Sequence, residues 1–274
     1  MLDIFNIPGQ QDNVKIFYAG GGTNDWQTWT KPRNCKFIWM MCIGAGAGGQ
    51  TTGTTSTGIG GGSGAITKAI FPANTLPDIL FVQPGIGAIN TIGGRSWVVI
   101  NPSGSVPVAM NTVCVSGTAG AGTTSLANGE TAATTTVAGL LSLGTFQSTA
   151  GTANPQTATF TPSSSLTNPG GNGGTPGVSV GTSTLSVTLT PNIITPTILG
   201  GSVIGAGDVG GNGIFYWKPL FSLGGSGGNS SSTEVGGNGG NGAYGSGGGG
   251  CGGSTSGTSV GGKGGDGLVV IATF

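Results

Sequence analysis

The chain has 274 residues, 61 of them glycine, with 6% charged residues and a formal net charge of +0. That balance offers no basic face for a nucleic-acid backbone. The sequence contains no histidine, which removes the commonest general base, the commonest metal ligand and every Ser-His or Cys-His nucleophile pair.

Val14 to Ala19 alternates like a strand, and Gly20-Gly-Gly22 with Asn24-Asp25 turns the chain before Trp26, Trp29 and Pro32. Lys36 to Ile43 is an apolar run of strand length, and the reading is a buried strand. Gly44-Ala-Gly46-Ala-Gly-Gly49 follows it and fits G-x-G-x-x-G. A dinucleotide site needs a helix at once and an acidic residue about 20 positions on. Gln50 to Gly58 is no helix start, and the next acidic residue is Asp78, so the stretch reads as extended glycine-rich backbone. Ala65–Phe71, Ile79–Val82 and Arg95–Ile100 are further strands between Pro/Gly turns, which indicates an all-β unit.

From Asn101 to Ser222 the composition shifts to Thr, Ser and Ala. Short strands are expected at Val113–Val115, Thr134–Val137, Thr157–Phe160, Val178–Val180 and Thr184–Thr190, with a weak helix candidate at Thr136–Leu143. Pro169 to Gly177 carries a brief glycine triplet pattern, and Ile214–Trp217 is an aromatic cluster. Gly224 to Phe274 then repeats glycine in triplets before ending in the apolar run Leu268–Phe274. Interior glycine costs a helix roughly 1 kcal/mol per residue and leaves a sheet without side chains to pack. A three-residue glycine period suits the polyproline II geometry, with three residues per turn and close approach between strands. A flexible linker is the competing reading; the near absence of charge and the terminal strand argue against it.

The fold class is therefore all-β, a short-stranded sandwich or meander with polyglycine II-like segments, closed by a C-terminal strand. Three regions are expected: 1–100 as an N-terminal β unit with an attachment segment, 101–200 as a Ser/Thr-rich elaboration, and 201–274 as the glycine-rich region with the closing strand. Cys35, Cys42, Cys114 and Cys251 match no zinc spacing. An odd separation on one apparent strand places Cys35 and Cys42 on opposite faces, and the thiols read as free or buried. No signal peptide is visible and no apolar run approaches ~20 residues, so assembly in the cytoplasm without membrane insertion is expected.

Trp29 and Pro32, the run ending Ile43-Gly-Ala-Gly-Ala-Gly-Gly49, Gly60-Gly-Gly-Ser-Gly-Ala65, Phe81-Val-Gln-Pro-Gly85 and Gly264-Gly-Asp-Gly-Leu-Val-Val-Ile271 together resemble the glycine-rich domain of bacteriophage tail-fibre, adhesin and other virion surface proteins. The resemblance covers roughly 14–100 and 200–274. It implies pairing of the closing strand with the early ones, stacked polyglycine II helices, and a structural protein of the virion.

The acidic residues Asp3, Asp12, Asp25, Asp78, Glu130, Asp208, Glu234 and Asp266 do not cluster in sequence as a glycosidase pair would suggest, and no cofactor, metal or enzymatic activity is expected. Asp266 is read as shaping a turn before the final strand. Recognition is expected at strand tips, in loops 50–59, 229–235 and 251–260. The candidate contact residues are Thr51, Thr52, Thr54, Thr55, Asn229, Ser230, Ser231, Thr255 and Thr258. Trp26, Trp29, Tyr216 and Trp217 are candidate contacts between copies, with a trimer favoured. The functional expectation is a tail-fibre or adhesin component meeting a host receptor or glycan, alongside other virion proteins. A capsid decoration protein, head fibre or filament subunit is the alternative.

Overall fold

The computed structural model describes residues 13–22, 24–51, 58–102, 111–116, 207–217 and 220–274, together with the backbone of four strands between 141 and 198. Two antiparallel sheets carry the fold. The first has the order β1-β14-β3-β4-β8, from β1 (Val14–Tyr18), β14 (Leu268–Thr273), β3 (Phe37–Ile43), β4 (Ile66–Pro72) and β8 (Leu141–Phe146). The second has the order β2-β5-β6-β7, from β2 (Gln27–Thr30), β5 (Ile79–Gln83), β6 (Trp97–Val99) and β7 (Thr112–Val115). A short hairpin joins β12 (Phe215–Trp217) to β13 (Leu220–Ser222). A separate three-stranded sheet pairs β9 (Thr157–Phe160), β10 (Leu185–Leu189) and β11 (Thr197–Ile198).

Strand alternation builds two cores from the first sheet. Ile38, Met40, Cys42, Phe71, Val269 and Ile271 point one way and meet Trp29, Leu80, Val82, Val98 and Cys114 of the second sheet. Met41, Ile43, Ile66, Leu268 and Val270 point the other way, where Leu223 and the aromatic residues of β12 cover them. The closing strand is thus buried on both faces, which is why its run is apolar without alternation. It lies between β1 and β3, with Val270 opposite Ile16 on one side and Met41 on the other.

The strands expected at Val113–Val115, Thr157–Phe160 and Thr184–Thr190 coincide with β7, β9 and β10. Those at Thr134–Val137 and Val178–Val180, and the triplets at 169–177, lie outside the described residues. The helix expectation at Thr136–Leu143 fails where it is described: Leu141–Leu143 opens β8 and pairs with β4. β2 and β13 were not read from the sequence. Cys35 and Cys42 do not face opposite sides, because Cys35 precedes β3 and packs against the same core that contains Cys42.

The glycine-rich stretches pack as extended helices: I (44–50), II (58–65), III (207–214), IV (223–231), V (236–243), VI (245–254) and VII (259–267). Successive N–H groups of helix I donate in rotation to three neighbours. Gly44, Ala47 and Gln50 donate to Ala65, Gly62 and Ile59 of helix II, and Gly46 and Gly49 to Gly265 and Gly262 of helix VII. Ala45 and Gly48 donate to the carbonyls of Gly94 and Thr91. Partners that recur every third residue and change direction at each step are the signature of a three-fold screw. The same spacing joins II to VI (Gly58, Gly61 and Gly64 to Cys251, Gly248 and Gly245) and IV to VI (Gly225, Gly228 and Ser231 to Gly247, Gly250 and Gly253). Helix VI is the hub: it bonds to I, II, IV, V and VII, and every residue from 245 to 254 is buried.

The lattice grows directly out of the first sheet. β3 runs into helix I, helix II into β4 and helix VII into β14, and Gly44 donates to the Ala65 carbonyl at the junction (2.9 Å). Strands and glycine helices from 13–102 and 207–274 therefore interleave in one body. The G-x-G-x-x-G motif serves this packing, since a Cβ on Gly46 or Gly49 would overlap the backbone carbonyl of Ser246 or Gly249.

Candidate functional site

With three residues per turn, two faces of a helix at the lattice margin meet neighbours and the third faces outward. The triplet spacing follows from this. Helices III, V and VII run parallel, side by side: Gly210 and Gly213 donate to Asn238 and Asn241, and Gly239 and Gly242 to Val260 and Lys263. Their non-glycine residues stack outward as Val209 and Asn212, Asn238 and Asn241 followed by Tyr244, and Val260, Lys263 and Asp266. Each row lies about 9 Å from the next, three steps of ~3.1 Å. The asparagines take up outward N–H groups of the adjoining helix: Asn212 Oδ1 accepts from Asn241 N, Asn238 Oδ1 from Val260 N and Asn241 Oδ1 from Lys263 N, each at 2.9 Å. This face was not foreseen from the sequence, although the i, i+3 recurrence of Asn was its visible signal.

At the end of the lattice far from the sandwich, the turns gather. Helix I ends and II begins there, where Gln50 N meets the Ile59 carbonyl. The turn 232–235 joins IV to V, and 255–258 joins VI to VII. Hydroxyls fasten these turns to backbone. Thr255 Oγ1 donates to Ser232 O (3.0 Å), Ser254 Oγ to Glu234 O (3.1 Å), and Ser231 Oγ accepts from Glu234 N (2.7 Å). Gly257, at φ +80°, makes the left-handed bend of its turn. Thr51 Oγ1 accepts from Gly261 N (3.1 Å) and ties the first loop to helix VII. A groove of about 720 Å³ opens at this end, lined by Val209, Glu234, Val235, Asn238, Thr258 and Val260 among others.

The expected contact residues divide on these facts. Thr255 and Thr258 are exposed at the distal end and Thr51 is half-buried beside them, while Thr52, Thr54 and Thr55 lie outside the described residues. Asn229, Ser230 and Ser231 are a correction: they are buried, because helix IV continues between III, V and VI up to Ser231. The exposed part of that loop is Ser232 to Val235. Among the aromatics, Trp29 is also corrected, being enclosed in the chain's own core between the sheets. Trp26 packs half-buried against Trp97, Val99 and Val115, and Tyr216 and Trp217 lie half-buried over the second core.

A second concavity, of about 300 Å³, sits near the sandwich end of the outward face. Phe215 and Tyr244 line it beside Asn241, Lys263 and Asp266. The Phe215 ring stands edge-on to Tyr244 (centroids 5.3 Å) and to Trp217 (4.8 Å), and Tyr18 lies 5.7 Å from Tyr244. Burial, then the neighbouring Tyr18 and Asp266, push the Tyr244 phenol above its ordinary range. Asp266 does not shape a turn, because the chain runs straight on into β14. Its Oδ1 accepts from Gly87 N and from Lys263 Nζ, both at 2.8 Å. In the core, burial and the adjacent Cys114 thiol raise Cys42 well above the ordinary thiol range, which leaves it protonated and inert.

The described chain is thus an all-β protein whose two antiparallel sheets run on into a hydrogen-bonded polyglycine lattice, the class of glycine-rich β domain. The chain belongs to the glycine-rich domain family, whose profile matches residues 19–273. No curated protein matches it.

Proposed function

We propose that the chain is a non-enzymatic virion surface protein, a tail-fibre or adhesin component that meets the host surface through its distal turns. The observation that carries this reading is the convergence of Thr51, Gly58 and the turns 232–235 and 255–258 at one end of a lattice whose backbone groups are held by neighbouring helices. A rigid base with hydroxyl-rich tips, in which Glu234 is the one charged residue of 232–235 and 255–258, suits recognition, since ordered loops lose little entropy on binding. The resemblance to virion glycine-rich domains supports the setting. Fibre proteins commonly act as cyclic oligomers, and the half-buried Trp26, Tyr216 and Trp217 are available to contacts between copies.

Gold-tagged antibody against the chain, imaged on intact particles, tests the setting. Label at the tail tip or fibres is the expected result. Label across the head would replace it with a decoration or head-fibre role, and label only on free filaments would overturn the virion reading. Host-cell binding by the purified chain should fall on Thr258→Tyr, at an exposed position of the distal end, and on Thr255→Tyr, which also gives up the bond to Ser232 O; unchanged binding in both would remove the tip from the contact.

A further inference from the structure

We infer that the concavity between helices V and VII is a subsite for one pyranose ring of an uncharged glycan, separate from the distal turns. A pyranose presents a face of C–H groups and a rim of hydroxyls. The site offers the matching pair. Tyr244 and Phe215 provide half-buried aromatic surface, extended by Tyr18, which is 46% exposed. Aromatic rings of this kind combine apolar area with a polar edge.

The polar groups across the site are fixed in place. Asn241 Oδ1 is held by Lys263 N, which leaves the amide NH2 to donate outward. Asp266 is held through Oδ1 by Gly87 N and Lys263 Nζ, so its other oxygen keeps acceptor capacity. Lys263 Nζ has three donors, and the one ion pair it makes here, with Asp266 at 2.8 Å, leaves donors for a hydroxyl. Donors and acceptors therefore converge beside an aromatic wall, the composition expected of a small-molecule site. The Lys263–Asp266 pair is internally neutral, which favours an uncharged sugar over an anionic one. The volume of about 300 Å³ lies at the small end of ligand pockets and suits one ring rather than an enclosed oligosaccharide. Because the outward face is open along its rows, the remaining sugars of a chain run out over the asparagines at Asn212 and Asn238.

The test is saturation-transfer NMR of the full chain with methyl glucoside, methyl galactoside and N-acetylglucosamine, alongside an array of bacterial surface oligosaccharides. At least one sugar should saturate, with affinity falling roughly tenfold in Tyr244→Ala, as expected for loss of a stacking contact, and falling again in Lys263→Ala. Tyr244→Phe, which keeps the ring, should retain binding; the Lys263 side chain is 41% exposed, so Lys263→Ala should melt close to the parent by circular dichroism. No saturable sugar, or affinity unchanged in Lys263→Ala and Tyr244→Ala, would overturn the inference. So would sugar binding lost only in Thr255→Tyr or Thr258→Tyr. Host-cell binding that survives periodate but not protease would assign the partner as a protein. Tip-dependent cell binding without sugar binding sinks this site and leaves the adhesin reading standing; sugar binding without cell binding does the reverse.

Discussion

Replacing Gly239 by valine tests the lattice most directly. Gly239 lies in helix V, where its N–H donates to Val260 O at 2.9 Å. A Cβ there would overlap the carbonyl of Gly249 in the hub helix and approach Gly262 N to 2.8 Å. Neither obstacle is a side-chain end that can swing away, so helix V must move off helix VI. That movement opens the bonds from Ser246, Gly249 and Gly252 to Ala243, Gly240 and Gly237, all 2.8 Å long. Each such bond contributes about 1 kcal/mol net, and overpacking adds about 1–3 kcal/mol. The expected loss is about 4–6 kcal/mol. At roughly 2–4 °C per kcal/mol the melting temperature should drop by roughly 8 °C or more. Thr258→Val, at an exposed position, should stay within about 0.5 kcal/mol. Ser231→Val should be destabilising as well, because Ser231 is buried and its Oγ accepts from Glu234 N and Thr233 N. Thermal and urea unfolding followed by circular dichroism would measure all three. Equal midpoints for Gly239→Val and Thr258→Val would refute the close-packed lattice and restore the flexible-linker reading.

Leu268→Asp and Val270→Asp place a carboxylate in the second core, where both native residues are fully buried; an unpaired buried charge costs several kcal/mol, so neither variant should accumulate as soluble monodisperse protein in size-exclusion chromatography, and parent-like heat resistance would contradict the placement of β14. Native protein treated with a thiol reagent should label half-buried Cys35 first, while Cys42, Cys114 and Cys251 react only after unfolding; peptide mapping that finds Cys42 labelled in the folded state would refute the core assignment. Ultraviolet titration should show a phenol ionising above the ordinary ~10 that disappears in Tyr244→Phe. Because folding raises this pKa, the stability linked to it is whole below pH ~10 and is lost as pH rises through the folded value. Alkaline melts of Tyr244→Phe should therefore decline less steeply than those of the parent, and identical slopes would remove Tyr244 from that linkage.

Much of the architecture was legible in the chain. Apolar runs of strand length located β3, β4, β5 and β14, because burial on one or both faces selects such runs locally. The triplet period located the polyglycine helices, because a three-fold screw places every third residue on the same edge. The sequence also set off 50–59, 229–235 and 251–260 as interruptions of the glycine triplets, and Thr51, Gly58 and the turns 232–235 and 255–258 lie at one end of the lattice. β2 escaped notice because only four residues, between Trp26 and a proline, carry it, and β8 because its Leu/Ser/Gly composition suits either helix or strand. Which loop residues are exposed was a tertiary matter: Asn229 to Ser231 look like a polar loop, yet helix IV needs them as its last turn against III and VI. Trp29 is buried for a similar reason, since pairing β2 with β5 turns its ring into the sandwich. The meeting of Tyr18, Phe215, Tyr244 and Asp266 was likewise decided only by folding. These residues lie far apart in the chain, and it is the register of β1 on β14 and the parallel packing of helices III, V and VII that bring them together.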